Sequence, residues 1–394
     1  MIRDHFVITA FWVLGGAPII AFLLYPLLMW IYALLKKPLM PPEPEEPLPS
    51  VTLLITAFNE EKTIRRRIRN ALSMDYPKDR LNIIIHTDGS TDRTDKIIDQ
   101  HKHPHILHLK VTENKGKTLA LNEALNYVKT PLIVYSDANS LFHPDALKRM
   151  VRWFQDERIG GVCGRLVYRR KRNHAAEKGE AGYWNWDRRL KTREGASGHL
   201  LGSNGAILAM RRSLALPLPG NQSNDMILPI IARLRGYLFP YEPDAVATEE
   251  TAPSLRREYN RKRRIIARGL NGVVFSFGFG LRDEKALQTP LSQRLCLFFQ
   301  LVCKKMFRYL SFPCLAVMMF LSFFLPEGFT LILGQCLWGG VVLSLLLTML
   351  HELFGRIWPW WPDLSYHLVM ATAALSGFFL FLTGKEVSRW KVQR

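Results

Sequence analysis

Asp137 and Asn139 are the residues whose chemistry is easiest to specify. They follow the apolar run Leu132 to Tyr135 in the stretch LIVYSDANS. An apolar, β-branched run of this length reads as a strand buried on both faces of a parallel sheet. Polar groups just past the end of such a strand lie where open α/β sheets bind ligands. A carboxylate and an amide two positions apart, with the small Ala138 between them, can turn two oxygens toward one hard cation. Such a cation keeps several waters and bridges phosphate oxygens. Asp and Asn also favour turns, so on this stretch alone a cation site and a plain turn are equal readings.

Other stretches carry chemistry of their own. Asp88, in HTDGSTD, can accept from a ribose hydroxyl or a base N–H, with Gly89 free to take positive φ and Ser90 able to cap the next helix. Lys115 and Lys117 flank Gly116 just before a helix N-terminus, which suits a phosphate. Gly202-Ser203-Asn204-Gly205-Ala206 is a Gly-flanked polar turn that lets backbone approach a ligand closely. Asp225 falls in the first turn of a helix read from Met226 to Arg235, where the macrodipole favours an anion; capping is the simpler account. Tyr183, Trp184 and Trp186 can stack on a sugar or cover an apolar core. Arg169 to Arg172 reads as a solvated basic loop.

The elements that must position these groups alternate. Strands at Val51–Ala57, Leu81–Thr87, Ile106–Val111 and Leu132 onward are separated by helical stretches, one with the basic run Arg65-Arg66-Arg67 and Arg69. Alternation of this kind implies α/β architecture with a mostly parallel sheet and right-handed crossovers. The loops after those strands then converge along one edge. A further strand is read at Gly160–Tyr168 and a short one at Ile207–Met210.

The series TAFNEE, HTDGSTD, NKGKTLALNEAL and YSDANS resembles the nucleotide-sugar-binding half of family 2 glycosyltransferases, and the resemblance runs from Ser50 to about Arg268. It implies a GT-A fold, Rossmann-like, and a nucleotide-sugar donor, most simply UDP-linked. By that resemblance Thr56, Ala57 and Glu60 border the nucleotide base, Asp88 and Gly89 hold the uridine end, and Lys117 approaches the pyrophosphate. Asp137 and Asn139 would form the site for a divalent cation, Mg²⁺ or Mn²⁺; much of the family has Asp where Asn139 stands. Ser203, Asn204 and Gly205 correspond to the segment beneath the donor sugar, and Trp184 is placed on the acceptor side. The family's general base comes from a Glu-Asp or Asp-Asp pair; here the pair is Asn224-Asp225, so Asp225 is the expected base of an inverting transfer. RKRRI at 261–265 is similar to the Q/R-x-x-R-W box, with Arg261 and Arg264 expected to clamp the diphosphate. Ile265 replaces the aromatic, which weakens the case for a processive polymerase. A charged amphipathic helix on a membrane surface is the alternative reading of that box.

Composition sets the surroundings. Phe6 to Leu35 is an almost uncharged run of roughly 30 residues, longer than the ~20 a bilayer needs, with Gly15-Gly16-Ala17-Pro18 as a kink or packing face. The expected organisation is a transmembrane helix over 1–36, a Pro/Glu-rich linker over 37–49, and a GT-A domain over 50–280 divided at residue 140. An interfacial amphipathic segment over 281–305, transmembrane helices within 306–384 and a basic tail over 385–394 follow. Lys36-Lys37, Lys304-Lys305 and Arg308 mark the domain's side as cytoplasmic. The side of the C-terminus stays open, because three later spans would place the basic tail outside, against that same bias.

Five scattered cysteines form no disulfide framework. The formal charge of +19 comes without an aromatic-interleaved basic motif, which argues against nucleic acid and for anionic lipid and an anionic substrate. The expected function is transfer of a sugar from a nucleotide sugar to a membrane-associated lipid or glycan acceptor, in surface or exopolysaccharide biosynthesis at a bacterial-type inner membrane. The alternative, motivated by Asn139 and Asn224, is a non-catalytic sugar-nucleotide-binding subunit of a polysaccharide secretion complex.

Overall fold

The computed structural model describes residues 2–169, 175–250, 255–326, 328–354 and 361–384. Arg170 to Arg172 and the basic tail 385–394 lie outside the described residues.

Eight strands form one sheet. They are β1 (Val51–Ala57), β2 (Leu81–Asp88), β3 (Ile106–Val111), β4 (Leu132–Asp137), β5 (Leu141–Phe142), β6 (Gly161–Arg169), β7 (Leu208–Arg211) and β8 (Tyr241–Glu250). The spatial order is β3-β2-β1-β4-β7-β6-β8-β5. Strands β3, β2, β1 and β4 run parallel, with Val51 opposite both Leu81 and Leu132. That common register brings Ala57, Asp88 and Asp137 to one edge. Strand β7 runs antiparallel between β4 and β6, β6 and β8 are parallel, and the short β5 closes the edge antiparallel to β8. The sheet is therefore mixed, with parallel pairing predominant in the half that carries the first four loops.

Every residue of β1 is buried, because the strand is central and apolar side chains cover both its faces. Leu53, Ile55, Ile83 and Val134 face one core with Ile64 and Ile68, while Leu54, Ile84 and Ile133 face the other with Leu121. This is the period-two alternation of a strand, with both phases apolar.

Strand β8 was not legible as a strand, because Glu242, Asp244, Glu249 and Glu250 interrupt its apolar pattern. The structure gives the acidic groups partners. Glu242 accepts from Arg152 and from the Trp153 indole, each at 2.9 Å.

The helices that matter to the site are α1 (Ile2–Ile19), α2 (Tyr25–Leu35), α3 (Ile64–Leu72), α4 (Thr94–Gln100), α5 (Lys117–Leu125), α6 (Ala146–Val151), α7 (Ala175–Ala196), α8 (Asn224–Leu234) and α9 (Leu255–Arg282). The basic face read on α3 is exposed only at Arg65, Arg66 and Arg69. Arg67 is fully buried; it donates to Asn70 at 2.9 Å and Ser136 at 3.0 Å, and lies 4.8 Å over the Phe142 ring. Burial pushes this guanidinium down to about 9, against the pull of Asp137.

Beyond α9 come α10 (Glu284–Gln288), α11 (Leu291–Gln300), α12 (Phe307–Leu321), α13 (Phe329–Phe354) and α14 (Trp361–Leu382). A π-helical turn over Leu301–Met306 joins α11 to α12 without a break. Another over Ile20–Leu24 joins α1 to α2 just after Pro18, whose ring nitrogen cannot donate to the preceding turn. Among the described residues, two helices are long and apolar enough to cross a membrane, Arg3–Leu35 and Leu291–Phe324; Leu331–Gly340 and Val369–Leu382 are shorter apolar stretches. Gly15 lets α1 approach α12, where a Cβ would stand 3.3 Å from the Met318 sulfur. Gly377 of α14 meets α9 still more closely, with a Cβ position 2.7 Å from the Arg263 carbonyl oxygen.

Candidate active site

Four loops leave the carboxyl edge of the sheet and are tied to one another. After β1 the chain turns through Asn59 at φ 55°. Asn59 N donates to Ser90 Oγ at 3.1 Å and its Oδ1 accepts from Thr91 N at 2.7 Å. Ser90 is thus used between loops and not as a helix cap. Helix α4 starts four residues later, where Asp92 Oδ1 accepts from Thr94 N at 2.9 Å. Thr56 lies opposite Asp137 in the β1–β4 register, buried, with its hydroxyl unpaired. Ala57, the last residue of β1, is fully buried.

Asp88 is almost completely buried at the end of β2, and its two carboxylate oxygens accept from Lys115 N at 2.9 Å and Gly116 N at 2.7 Å. It therefore fixes the NKGK loop, with further lone pairs left on each oxygen. Gly89 has φ +70°, and a Cβ there would stand 2.6 Å from the backbone nitrogen of Asn114. Only glycine fits this turn without displacing the loop that Asp88 holds.

Asp137 is the centre of charge. Lys117, the first residue of α5, contacts its Oδ1 directly. Glu60 is half-buried; burial raises its carboxyl, and Asp137 and Asp92 raise it further against the Thr63 hydroxyl. Arg264 feels Asp137 as well, although burial and Arg261 lower its guanidinium. Asn139, two residues beyond Asp137, is exposed. Among the described residues no group of three His, Cys, Asp or Glu side chains converges to hold a metal. The donor set at this edge fits a hard cation only where phosphate oxygens complete its shell, with Asp137 as the anion and Asn139 as a neutral oxygen.

Glu249 is a site residue that the sequence reading missed. It lies near the end of β8, accepts a hydrogen bond from Ser140, and is pushed up to about 7 by burial and by Asp137. Lys117 and Arg261 act in the opposite direction. Its signal in the sequence was the adjacent pair Glu249-Glu250 in an otherwise apolar alternation. Because its ordinary value is 4.5, the folded chain holds a proton there between about pH 4.5 and 7 that the unfolded chain releases. The stability this contributes is present below the lower value and is lost as pH rises through the upper one. Glu249→Gln is expected to flatten the fall in melting temperature across that range; a fall of unchanged size in the variant would refute the assignment.

Asp225 stands at the start of α8, after the turn Pro219–Ser223. The Ser223 hydroxyl contacts its carboxylate, and its backbone oxygen accepts from both the N–H and the hydroxyl of Ser203 at 2.8 Å. Gly205 leaves room at the carboxylate: a Cβ there would lie 3.4 Å from Asp225 Cβ. Asn204 is buried and held by Lys191 Nζ at 2.6 Å and by its own donation to Gly164 O at 2.7 Å. Asn224 is buried at the first position of α8. Trp184 falls on α7, but its side chain lies outside the described residues.

Helix α9 spans the two ends of this site. Arg261 is held bidentate by Glu258, at 2.7 and 2.8 Å. Arg264 lies near Asp137, and Arg268 lies near Asp225, donating to Thr118 Oγ1 at 2.7 Å and to the Gln222 carbonyl. Arg268 is the second residue the sequence reading missed. Its signal was helical spacing, since 261, 264 and 268 recur on one face. Burial pushes its guanidinium down to about 10, against Asp225. The arrangement is a cationic wall between one carboxylate able to share a hard cation and another open to a ligand. It suits an anionic leaving group at the first and proton removal at the second.

Residues 52–216 match the family model described as Glycosyl transferase family 2. The chain is 29% identical over 222 residues to a poly-beta-1,6-N-acetyl-D-glucosamine synthase of Staphylococcus aureus (strain COL), covering 55% of this chain and 52% of that protein. It is 28% identical over 252 residues to the probable glycosyltransferase YdaM of Bacillus subtilis (strain 168), covering 58% and 57%. The chain thus spans little more than half the length of these curated relatives. Among solved structures, mannosyltransferase PcManGT from Pyrobaculum calidifontis, in complex with GDP-Man and Mn2+, superposes with a TM-score of 0.70 at 21% identity. That match covers 97% of this chain and 99% of the other. At that identity it speaks for the fold, and the GT-A architecture expected from the sequence is the one found.

Proposed function

We propose, from the match of residues 52–216 to the glycosyl transferase family 2 model, an inverting sugar transfer from a nucleoside-diphosphate sugar to a hydroxyl of a membrane-associated lipid or glycan. The observation that carries this reading is the pairing, along α9, of an Asp137–Lys117–Arg264 end with an Asp225 end beside the Gly205 opening. Asp225 takes the proton of the acceptor hydroxyl as its oxygen bonds to the anomeric carbon. The bond from that carbon to the diphosphate breaks, and the nucleoside diphosphate leaves with the electron pair. Lys117, Arg264 and, once released from Glu258, Arg261 stabilise the charge on the leaving diphosphate. Asp137, with Asn139, would hold a divalent cation completed by the donor's own phosphates, and that cation would supply further charge neutralisation. Glu60, Thr56 and Ala57 would line the base, with Asp88 and Gly89 shaping its pocket.

A UDP-linked donor is the first choice, and the name of the Staphylococcus aureus relative, a poly-beta-1,6-N-acetyl-D-glucosamine synthase, favours a polysaccharide as the product class. The apolar helices Arg3–Leu35 and Leu291–Phe324 support residence in a membrane, with the domain on the cytoplasmic side by the distribution of Lys and Arg. Release of nucleoside diphosphate by the purified protein in lipid tests the reading, across UDP- and GDP-sugars with Mg²⁺ or Mn²⁺ and a lipid extract as acceptor source. Turnover of one donor is expected. Binding without release from any donor would replace the transferase with a sugar-nucleotide-binding subunit.

Gly89→Ala tests the nucleotide pocket separately. Placing alanine at positive φ costs roughly 1–2 kcal/mol, and the added Cβ also displaces the loop held by Asp88. Donor affinity is expected to fall about tenfold or more, read by calorimetry; an unchanged affinity would remove Asp88 and Gly89 from the pocket.

A further inference from the structure

A chain of buried polar contacts runs from the second long apolar helix to the turn beneath Asp225. Arg308 of α12 approaches Asp187 Oδ1 at 3.6 Å and lies over the Trp186 ring at 5.8 Å. Asp187 Oδ2 pairs with Lys191 Nζ at 3.0 Å, one helical turn along α7. Lys191 reaches out of α7 to Asn204 Oδ1 at 2.6 Å. The next residue back, Ser203, donates twice to the Asp225 backbone oxygen. Asp187, Lys191 and Asn204 are all buried, at 6, 8 and 8% exposure.

Three neighbouring contacts tie α7 and the 202–206 turn to the two long apolar helices. Lys304 Nζ meets Glu194 Oε2 at 2.6 Å, while Tyr25 of α2 donates to the other oxygen at 2.5 Å. A Cβ on Gly202 would stand 3.0 Å from Lys305 Nζ. Burial alone would raise the Asp187 carboxyl, but Lys191, Arg308 and Lys304 hold it well below the usual carboxylate range. A core with no further task would fill this place with apolar side chains, since buried ion pairs add little net stability.

We infer that Lys191, held by Asp187 and through it by Arg308, is a positioning residue that sets the 202–206 turn against Asp225 according to how the apolar helix is seated. This rests on the transferase reading for its catalytic consequence, while the tie itself is structural. Lys191 touches neither Asp225 nor the Asp137 end, so its removal acts on the alignment of acceptor, donor sugar and base. A small misplacement of that kind costs on the order of a hundredfold in rate.

The test uses the full chain in lipid nanodiscs, with Lys191→Met, Lys191→Arg and Arg308→Gln beside the wild type. Three quantities are read: kcat and donor Kd for the nucleotide sugar the wild type turns over, and amide hydrogen exchange. Lys191→Met is expected to lower kcat about a hundredfold with donor Kd within about twofold. Lys191→Arg should recover most of the rate, and Arg308→Gln should show a smaller loss in the same direction. The Ser203 amide should exchange faster in Lys191→Met and Arg308→Gln, with β1 and β2 unchanged. An unchanged kcat in Lys191→Met, a parallel loss of donor affinity, or an unchanged Ser203 amide would each overturn the inference. If the wild type turns over no donor, the transferase reading fails by itself, and the exchange of Ser203 alone decides for or against the tie.

Discussion

Asp225→Asn is expected to reduce sugar transfer by about a thousandfold or more, the contribution of a general base in this position, with the fold and donor binding intact. The amide is isosteric and keeps the α8 start. The backbone bonds from Ser203 to Asp225 do not involve the carboxylate, and the Ser223 hydroxyl can still donate to the amide oxygen. What is lost is the capacity to take a proton. Arg268 then faces no negative charge at this end, where Asp225 now offsets part of its desolvation. The measurement is single-turnover transfer with donor Kd determined in parallel. Retained transfer would move the base elsewhere; a large loss of donor affinity would place Asp225 in donor binding instead.

Asp137→Asn should lower donor affinity in Mg²⁺ or Mn²⁺ by about a hundredfold and make it insensitive to chelator, because it removes the anion on which the proposed cation site depends. Without metal, the effect on donor affinity should be small or of opposite sign, since Lys117 would no longer be paired with a carboxylate and would face the diphosphate alone. A second signature is independent of donor. Asp137 is one of the two causes that raise Glu249, after burial. Neutralising it should move the pH range over which Glu249 affects stability downward, toward the ordinary carboxyl value. Equal donor affinity with and without metal in the wild type would rule out the cation role of Asp137, and an unmoved pH range would separate it from Glu249.

Much of this architecture follows from local pattern. Both-face apolar runs ending in Ala57, Asp88 and Asp137 specify parallel strands, and parallel strands joined by helices bring their carboxyl ends together whatever the distant sequence does. Asp88, Lys117 and Asp137 were therefore legible as candidates, while Asp225, Arg261 and Arg264 were marked by the resemblance to family 2 glycosyltransferases and Arg268 was not marked at all. Hydropathy likewise marked the first long apolar helix, whereas the second, Leu291–Phe324, begins inside the stretch read as an interfacial segment over 281–305.

Tertiary structure decided which groups meet. Arg67 belongs by sequence to a solvated basic face, yet it is buried under Ser136 because only the packed sheet shows which side of α3 is inward. Glu249 reads as an ordinary acidic residue, and β8 as no strand, until pairing beside β6 carries that carboxyl to Asp137. Lys304 reads as a cytoplasmic flank of a span, yet it is buried on Glu194, 110 residues earlier. Periodicity reports the environment of a residue among its near neighbours. Long-range ion pairs depend on the relative placement of separate elements, and no local spacing encodes that.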